Sequence, residues 1–326
     1  MYHAVILATL VLSFGLNGIC ASIPPRATCT IKSQRKAWED LTDVEKEAYI
    51  DADLCLMATP PIAGVPGAQN VWDELQYIHA AQSEYIHNVG AFLPFHRYFV
   101  TLHQTLLSTQ CGYTGPLPYW NEPLNVGALD QASVFDPILG FGGDGTGSSR
   151  CITDGPFADT VLRVQENLSI SEYCISRGLN DRSFNSAAQT NVDRCLNMAT
   201  FVDAWNCIEG SPHSAGHGGV NGVMVNTKLS PGDPIFYLHH GYVDKLWWDW
   251  EAKKLPARLT EALTNCKIGG NNTARGNNNP VFVNYFNDGG SITTLNHVLW
   301  SHDLVPNATI GDVMDIGGDY VCAEFV

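Results

Sequence analysis

Residues 213–250, HSAGHGGVNGVMVNTKLSPGDPIFYLHHGYVDKLWWDW, carry four of the chain's eleven histidines and constrain the fold more than any other stretch. His213 and His217 are four apart, so on a helical turn both rings face one way. Ser211 and Pro212 read as a cap and a first helical residue, which predicts a helix starting there. Asp233 and Pro234 repeat that signal ahead of an apolar segment and predict a helix over 234–253. It carries His239, His240 and, four residues further on, Asp244. Two imidazoles on one turn and a third from a facing helix make a three-nitrogen metal site, with Asp244 placed to orient a ligand from behind. Neighbouring residues on a helix point about 100° apart, so only one of His239 and His240 is expected to face a metal. Asp244 at i+4 favours His240.

A second group lies upstream in residues 78–99, IHAAQSEYIHNVGAFLPFHRYF, and contributes His79, His87 and His96. Pro94 marks a helix start, predicting a helix over 94–108 with His96 in its first turn. No cysteine fits a ligand pattern beside either group. Six imidazoles without a carboxylate or thiolate favour copper over zinc, calcium or an iron–sulfur cluster. Zinc suits three histidines in either half taken alone; two such halves in one domain argue against it.

The segments HNVGAFLPFHRYF and DPIFYLHHGYVDKLWWDW resemble the two copper-binding signatures of the tyrosinase and catechol oxidase superfamily, the type 3 binuclear copper proteins. The resemblance includes the nine-residue step from His87 to His96, the four-residue step from His213 to His217, and the His-His-x-x-x-Asp ending. It covers roughly residues 29–325 and is closest to the short secreted fungal members. It implies two copper ions, the first held by His79, His87 and His96, the second by His213, His217 and His240. It also implies dioxygen as co-substrate and a small phenolic substrate, with ortho-diphenols, and ortho-aminophenols as a further class, oxidised to quinones while oxygen is reduced to water.

Three positions depart from common patterns of that superfamily. Tyr85 stands where some members have a cysteine that forms a thioether to the second ligand of the first copper. Gln104 stands where many have an acid. Ser214 follows the first ligand of the second copper, where many monophenol-hydroxylating members have Asn. Glu209 matches a family glutamate that holds a water near the copper. The resemblance therefore implies catalytic roles for Glu209 and Ser214, with monophenol hydroxylation weak or absent. Ser214 and Gly218 are small and are expected to leave a roomy entrance. The chain runs only about 75 residues past the second signature, so an exposed site is expected. Two alternatives stand beside this reading. One is a tailoring oxidase of a phenolic or tyrosine-containing secondary metabolite. The other is an oxygen carrier like molluscan haemocyanin, which catechol turnover would exclude.

The rest of the chain agrees with an exported helical protein. Residues 1–21, MYHAVILATLVLSFGLNGICA, read as a secretory signal peptide, leaving a single domain over 22–326. Nine scattered cysteines follow it, which reads as a disulfide framework with at least one cysteine left over. A pair of Cys29 with Cys322 would clip the termini together, though the sequence alone fixes no connectivity. Asn167, Asn271 and Asn307 each head a glycosylation sequon. A formal charge of −15 argues against nucleic acid or an anionic membrane as partner. Thr42 and Glu45 form a capping box ahead of a stripe of Val44, Ala48, Ala52 and Leu56; helical patterns also cover residues 71–82 and, weakly, 200–208. These signals predict a mainly α fold, a four-helix bundle around a binuclear metal site with long loops and little strand. His103 is expected to be packed, Arg97 to be a buried ion-pair partner, and Trp247, Trp248 and Trp250 to belong to the core. His297 and His302 are assigned no chemistry, nor is the glycine-rich loop over 140–149.

Overall fold

The computed structural model describes residues 29–260, 267–271 and 292–326. Strand β1 (Ser33–Ala37) leads into helices α1 (Asp43–Ala58), α2 (Val71–Ile86) and α3 (Phe92–Cys111), then strand β2 (Leu117–Tyr119) and the hairpin of β3 (Val161–Val164) and β4 (Ile170–Cys174). Short helices α4 (Asp181–Phe184) and α5 (Gln189–Leu196) precede α6 (Phe201–Ile208), α7 (Ser214–Val220) and α8 (Ile235–Ala252). After them come α9 (Ala257–Thr260), β5 (Lys267–Asn271), β6 (Ile292–Thr294), β7 (Val298–Leu299), β8 (Ala308–Thr309), α10 (Ile310–Val313) and β9 (Ala323–Phe325). Among the described residues helix accounts for 48% and strand for 11%, so the fold is mainly α, as expected. α2, α3, the α6–α7 segment and α8 converge on the histidines as the four arms of the bundle.

Local chemistry explains most helix ends. The Thr42–Glu45 capping box forms: Glu45 N donates to Thr42 Oγ1 at 3.3 Å and Thr42 N to Glu45 Oε2 at 2.7 Å. The buried face of α1 is rotated from the expected stripe. Val44 and Ala48 are exposed, while Tyr49, Ile50, Ala52, Asp53 and Leu56 are buried. The aromatic and aliphatic bulk of Tyr49 and Ile50 outweighs two small residues. α2 opens on Asn70, whose Oδ1 accepts from Asp73 N at 2.8 Å, and it buries Val71, Leu75 and Ile78 completely. α3 starts two residues before Pro94. It stops at Gly112, whose φ of 68° is the left-handed conformation that glycine adopts without strain.

The expected helix start at Ser211 and Pro212 is not what forms. α6 runs without a break through a π turn, Glu209–His213, into α7. Ser211 is no cap, and Pro212 lies inside the helix. A proline lacks the N–H that an α turn needs, and the widened π turn absorbs the fault. The two segments expected separately, 200–208 and the turn bearing His213 and His217, are therefore one helical rod.

A small parallel sheet of order β2-β1-β9 closes the two ends of the chain beside the bundle. Cys29 pairs with Cys322. Cys55–Cys111, Cys151–Cys174 and Cys195–Cys207 complete the disulfides among the described residues. Cys266, the remaining cysteine, lies outside the described residues, as does most of the Asn271 sequon. Asn167 and Asn307 are exposed.

Asp244 corrects another expectation. It touches no imidazole. One carboxylate oxygen accepts from Arg97 Nε at 2.5 Å and the other from Arg35 of β1. Arg97 also reaches Glu251 at 2.9 Å and the carbonyls of Val313 and Met314 at 3.0 and 2.8 Å, with its guanidinium stacked on Trp247. All four charged side chains are buried. The network ties β1, α3, α8 and the α10 turn together, and Arg97 is the ion-pair partner expected. Trp247 and Trp250 are fully buried, whereas Trp248 is half-buried. Removing one member of a buried ion network leaves an uncompensated charge, at about 3–5 kcal/mol. Asp244→Asn is therefore expected to lower the unfolding free energy by about that amount in urea titration; a loss below about 1 kcal/mol, the value of an exposed pair, would refute the assignment.

Candidate metal centre

His79 lies mid-way along α2 and His87 caps its end, His96 lies in the first turns of α3, His213 and His217 flank the junction of the π turn with α7, and His239 and His240 lie on α8. The bundle brings all six expected ligands together. One ring nitrogen from each of His79, His87 and His96 lies within 4.8 Å of the others, and the same holds for His213, His217, His239 and His240. The two groups abut. His96 and His240 stack with ring centroids 4.2 Å apart, and His87 faces His213 at 6.5 Å.

A repeated device aims the rings. The Nδ1 of His79 lies 3.1 Å from the carbonyl of Lys228, that of His87 2.9 Å from Ser83, that of His96 2.8 Å from Phe92, that of His213 3.1 Å from Glu209, and that of His217 2.5 Å from Met224. A carbonyl accepts only, so each Nδ1 carries the proton and each Nε2 keeps its lone pair. Three of these acceptors sit four residues before their histidine, on the same rod. His240 differs: its buried Nδ1 has no partner, and its Nε2 lies 3.3 Å from that of His217.

His239, the neighbour of the expected ligand His240, lies beside the second group and has a polar partner of its own. Its Nδ1 meets the buried carboxyl of Glu122, and one of its ring nitrogens lies within 4.8 Å of those of His213, His217 and His240. Gly216 makes this possible. A Cβ there would stand 2.3 Å from His239 Nδ1 and 2.6 Å from Glu122 Oε1. Glu122, in the 3-10 turn Glu122–Asn125, gives no signal in the sequence, because nothing in PYWNEP announces a histidine partner 117 residues away.

Burial sets the electrostatics. Desolvation holds His87 down at about 4 and His239 at about 3, and it pushes His79, His96, His213, His217 and His240 well below the ordinary 6.5, with neighbouring imidazoles adding to the effect. The same desolvation pushes the Glu122 carboxyl well above its ordinary range. At neutral pH the rings are uncharged. The Nε2 atoms of His79, His96 and His213 are buried without a hydrogen-bond partner, an arrangement that costs about 1–3 kcal/mol per group unless something takes up their lone pairs. Neutral imidazoles converging in threes and fours, free of thiolate, are the donor set of a copper pair, so the residues fit the metal that the sequence implied.

A cavity of about 270 Å³ opens on the junction, lined by His87 from one group, His213 from the other, and Asn88, Asn206, Glu209 and Ser214 among others. Glu209 is pinned at both oxygens, by Asn88 N at 2.7 Å and Trp205 Nε1 at 2.7 Å. The Ser214 hydroxyl donates to the Glu209 carbonyl at 2.8 Å. Gly218 does not line this cavity; it faces Ser183 of α4. His103 is packed as expected, 2.9 Å from Asp53 and stacked on Tyr237. His297 and His302 belong to neither group.

Residues 69–253, more than half of the chain, match the family model described as the common central domain of tyrosinase. The chain belongs to the tyrosinase family. It is similar to tyrosinase ustQ of Aspergillus flavus, 28% identical over 322 residues that cover 95% of this chain and 83% of that one. It is also similar to the N-acetyl-6-hydroxytryptophan oxidase ivoB of Emericella nidulans, 28% identical over 354 residues covering 90% and 92%. A solved structure of a polyphenol oxidase mutant from Thermothelomyces thermophila superposes with a TM-score of 0.79 at 26% identity, covering 93% and 91%. The tyrosinase fold implies a binuclear copper centre, and the two histidine groups fit one. No helix among the described residues is long and apolar enough to cross a membrane.

The depressed histidines make the metal-free chain acid-sensitive. A histidine held at about 4 when folded, against 6.5 unfolded, contributes stability that is fully present above pH 6.5 and is lost as pH falls towards 4. Each such group is worth up to about 3 kcal/mol, at 1.36 kcal/mol per unit. Urea midpoints of the apo chain should therefore fall steadily from pH 6.5 to 4; a flat profile below 6.5 would show the rings to be charged or solvated.

Proposed function

We propose that the chain is a secreted binuclear copper oxidase that converts ortho-diphenols, with ortho-aminophenols as a further class, to ortho-quinones, with weak or no monophenol hydroxylation. The observation that carries this reading is the cavity whose floor holds one histidine from each group beside Glu209 and Ser214. In this reading residues 1–21 are a signal peptide, 22–326 form one domain, His79, His87 and His96 hold the first copper, and His213, His217 and His240 hold the second. Bound there, the copper pair supplies the path for two electrons from the diphenol to dioxygen. The protein binds, orients and excludes. Phe92 packs against both His96 and His213, at 4.7 Å from each ring, and shields the junction from below. Glu209 presents a carboxylate at the entrance, held in place by the Asn88 amide and the Trp205 indole.

Two coppers per chain are expected from metal analysis, and His96→Ala or His213→Ala should each abolish oxygen uptake on catechol while leaving one copper. A single metal per chain, or zinc with no oxygen chemistry after copper loading, would refute the reading. Catechol turnover also excludes a haemocyanin-like carrier. The tailoring alternative draws on relatives whose names are tyrosinase ustQ and N-acetyl-6-hydroxytryptophan oxidase. It shares the chemistry and differs in the phenol. The cavity lining includes no lysine or arginine among the described residues, which favours phenols without a carboxylate.

The preference for diphenols follows from proton chemistry. A phenol with a pKa near 10 costs about 4 kcal/mol to ionise at neutral pH, and hydroxylation needs the phenolate. A side-chain amide after His213 would help Glu209 hold a basic water. Ser214 offers only a hydroxyl, and its proton is already committed to the Glu209 carbonyl. A positioned base contributes roughly 100-fold or more. Ser214→Asn is expected to recover about ten-fold of this in initial oxygen consumption on tyramine, with little change on dopamine. Equal wild-type rates on the two substrates, without a lag, would show that this position does not limit the reaction.

A further inference from the structure

Residues 221–229 connect the second histidine pair to α8, yet their carbonyls hold the first group. Lys228 O accepts from His79, and Thr227 O accepts from Ser83 Oγ at 3.4 Å. Ser83 in turn carries His87: its carbonyl accepts from His87 Nδ1 at 2.9 Å, and its hydroxyl lies 3.4 Å from the same nitrogen. Each of these two loop carbonyls shares a rigid peptide plane with the next residue's N–H. The plane holding Lys228 O also holds Leu229 N–H, and the plane holding Thr227 O also holds Lys228 N–H. Both N–H groups donate to Oδ1 of Asn226, at 3.2 and 3.0 Å, the Leu229 N–H being shared with the Asn226 carbonyl at 3.1 Å and the Lys228 N–H resting on the side chain. Asn226 is itself fixed, its Nδ2 donating to Glu166 Oε1 at 2.6 Å, while Lys228 Nζ reaches Glu166 O at 3.2 Å. His217 of the second group takes its carbonyl from Met224, whose peptide plane Asn226 Oδ1 does not touch.

We propose that Asn226 is a positioning residue for the first metal half only, orienting His79 through the Lys228 carbonyl and His87 through Thr227 and Ser83 by clamping the two peptide planes that hold them. The inference rests on the metal reading above and deepens it. An outer partner that orients a ligand is commonly worth 10–100-fold in metal affinity, so a loss of about ten-fold in the first half is expected without Asn226. The second half keeps its affinity.

The experiment separates the halves with full-length variants. The His213→Ala chain retains only the first half, and the His96→Ala chain only the second. Copper alone is titrated into each against a competing chelator, with and without Asn226→Ala. A loss of about ten-fold in the His213→Ala background, with no change in the His96→Ala background, is the result expected. A general loosening of the fold would weaken both alike, and equal weakening would overturn the proposal, as would unchanged affinity in the first half. Combining Asn226→Asp with Glu166→Gln keeps the two accepted bonds and reverses the third, so it should restore affinity. Failure of this pair to rescue would also count against the proposal. Should Asn226→Ala fail to fold, Glu166→Ala releases the Nδ2 side alone and should give a smaller loss confined to the first half, with a loss in both halves overturning the proposal. Absence of copper binding by the two background chains themselves would refute the metal reading instead.

Discussion

Seven neutral imidazoles gathered in the buried centre of the bundle are the constraint on which the rest of the structure depends. Each ring exchanged hydration for burial, and several have a lone pair without a partner. Such a centre is unfavourable when empty, so the scaffold around it has to be rigid enough to keep it from collapsing. The backbone provides that rigidity. Carbonyls of Phe92 and Glu209 lie one turn before the histidines they hold, so the helix fixes the ring as soon as it forms. His217 takes the carbonyl of Met224 from the loop that follows its own helix, whereas His79 depends on Lys228, 149 residues away, and is fixed only once the two halves of the bundle have packed. Folding and assembly of the centre are therefore coupled, and a bound metal would add its binding energy to folding.

The ion network plays a complementary part beside the histidines, Arg97 following His96 and Asp244 lying one turn beyond His240. Asp244 and Glu251 neutralise Arg97 and Arg35 without any contact with the histidines. The network fixes α3 against α8, which carry His96 and His240. That explains how a His-His-x-x-x-Asp pattern can mark a metal site while its aspartate acts on the helix pair and not on a ligand. A salt bridge in the core is weak evidence for stability in itself; here it sets the register of two helices whose rings stack 4.2 Å apart.

The histidine groups, the mainly helical bundle, the disulfide framework and the buried Arg97 are legible in the sequence, because each leaves a local mark: spacing, a cap, a cysteine, a charge in an apolar run. The features that are not legible depend on partners distant in the chain. The partner of His239 cannot be read from α8 alone, because Glu122 reaches its ring only where Gly216 clears room on a different helix. Glu122 and Asn226 are ordinary polar residues until the fold brings one to His239 and the other under the loop that carries His79. The expected stripe on α1 fails for a related reason. Val44 fits the period, but burial follows the larger side chains of Tyr49 and Ile50.

The π turn at Glu209–His213 unites these threads. Pro212 in an ordinary α turn would break the rod between Cys207 and His217; the wider turn keeps it continuous and rotates the turns beyond it. Two bonds meet at one carbonyl there. Glu209 O accepts from His213 Nδ1, which aims a ring, and from Ser214 Oγ, which commits a hydroxyl beside the cavity. The side chain of the same glutamate is held at the entrance from two directions, by the rod itself through Trp205 and by Asn88, the residue after His87, whose φ of 55° turns its N–H towards the carboxylate. A non-glycine residue in the left-handed region costs energy, which the short bond to Glu209 offsets. The strained residue thus joins the second ligand of the first group to the acid beside the second group, so the width of the entrance is set by the same contact that positions its charge.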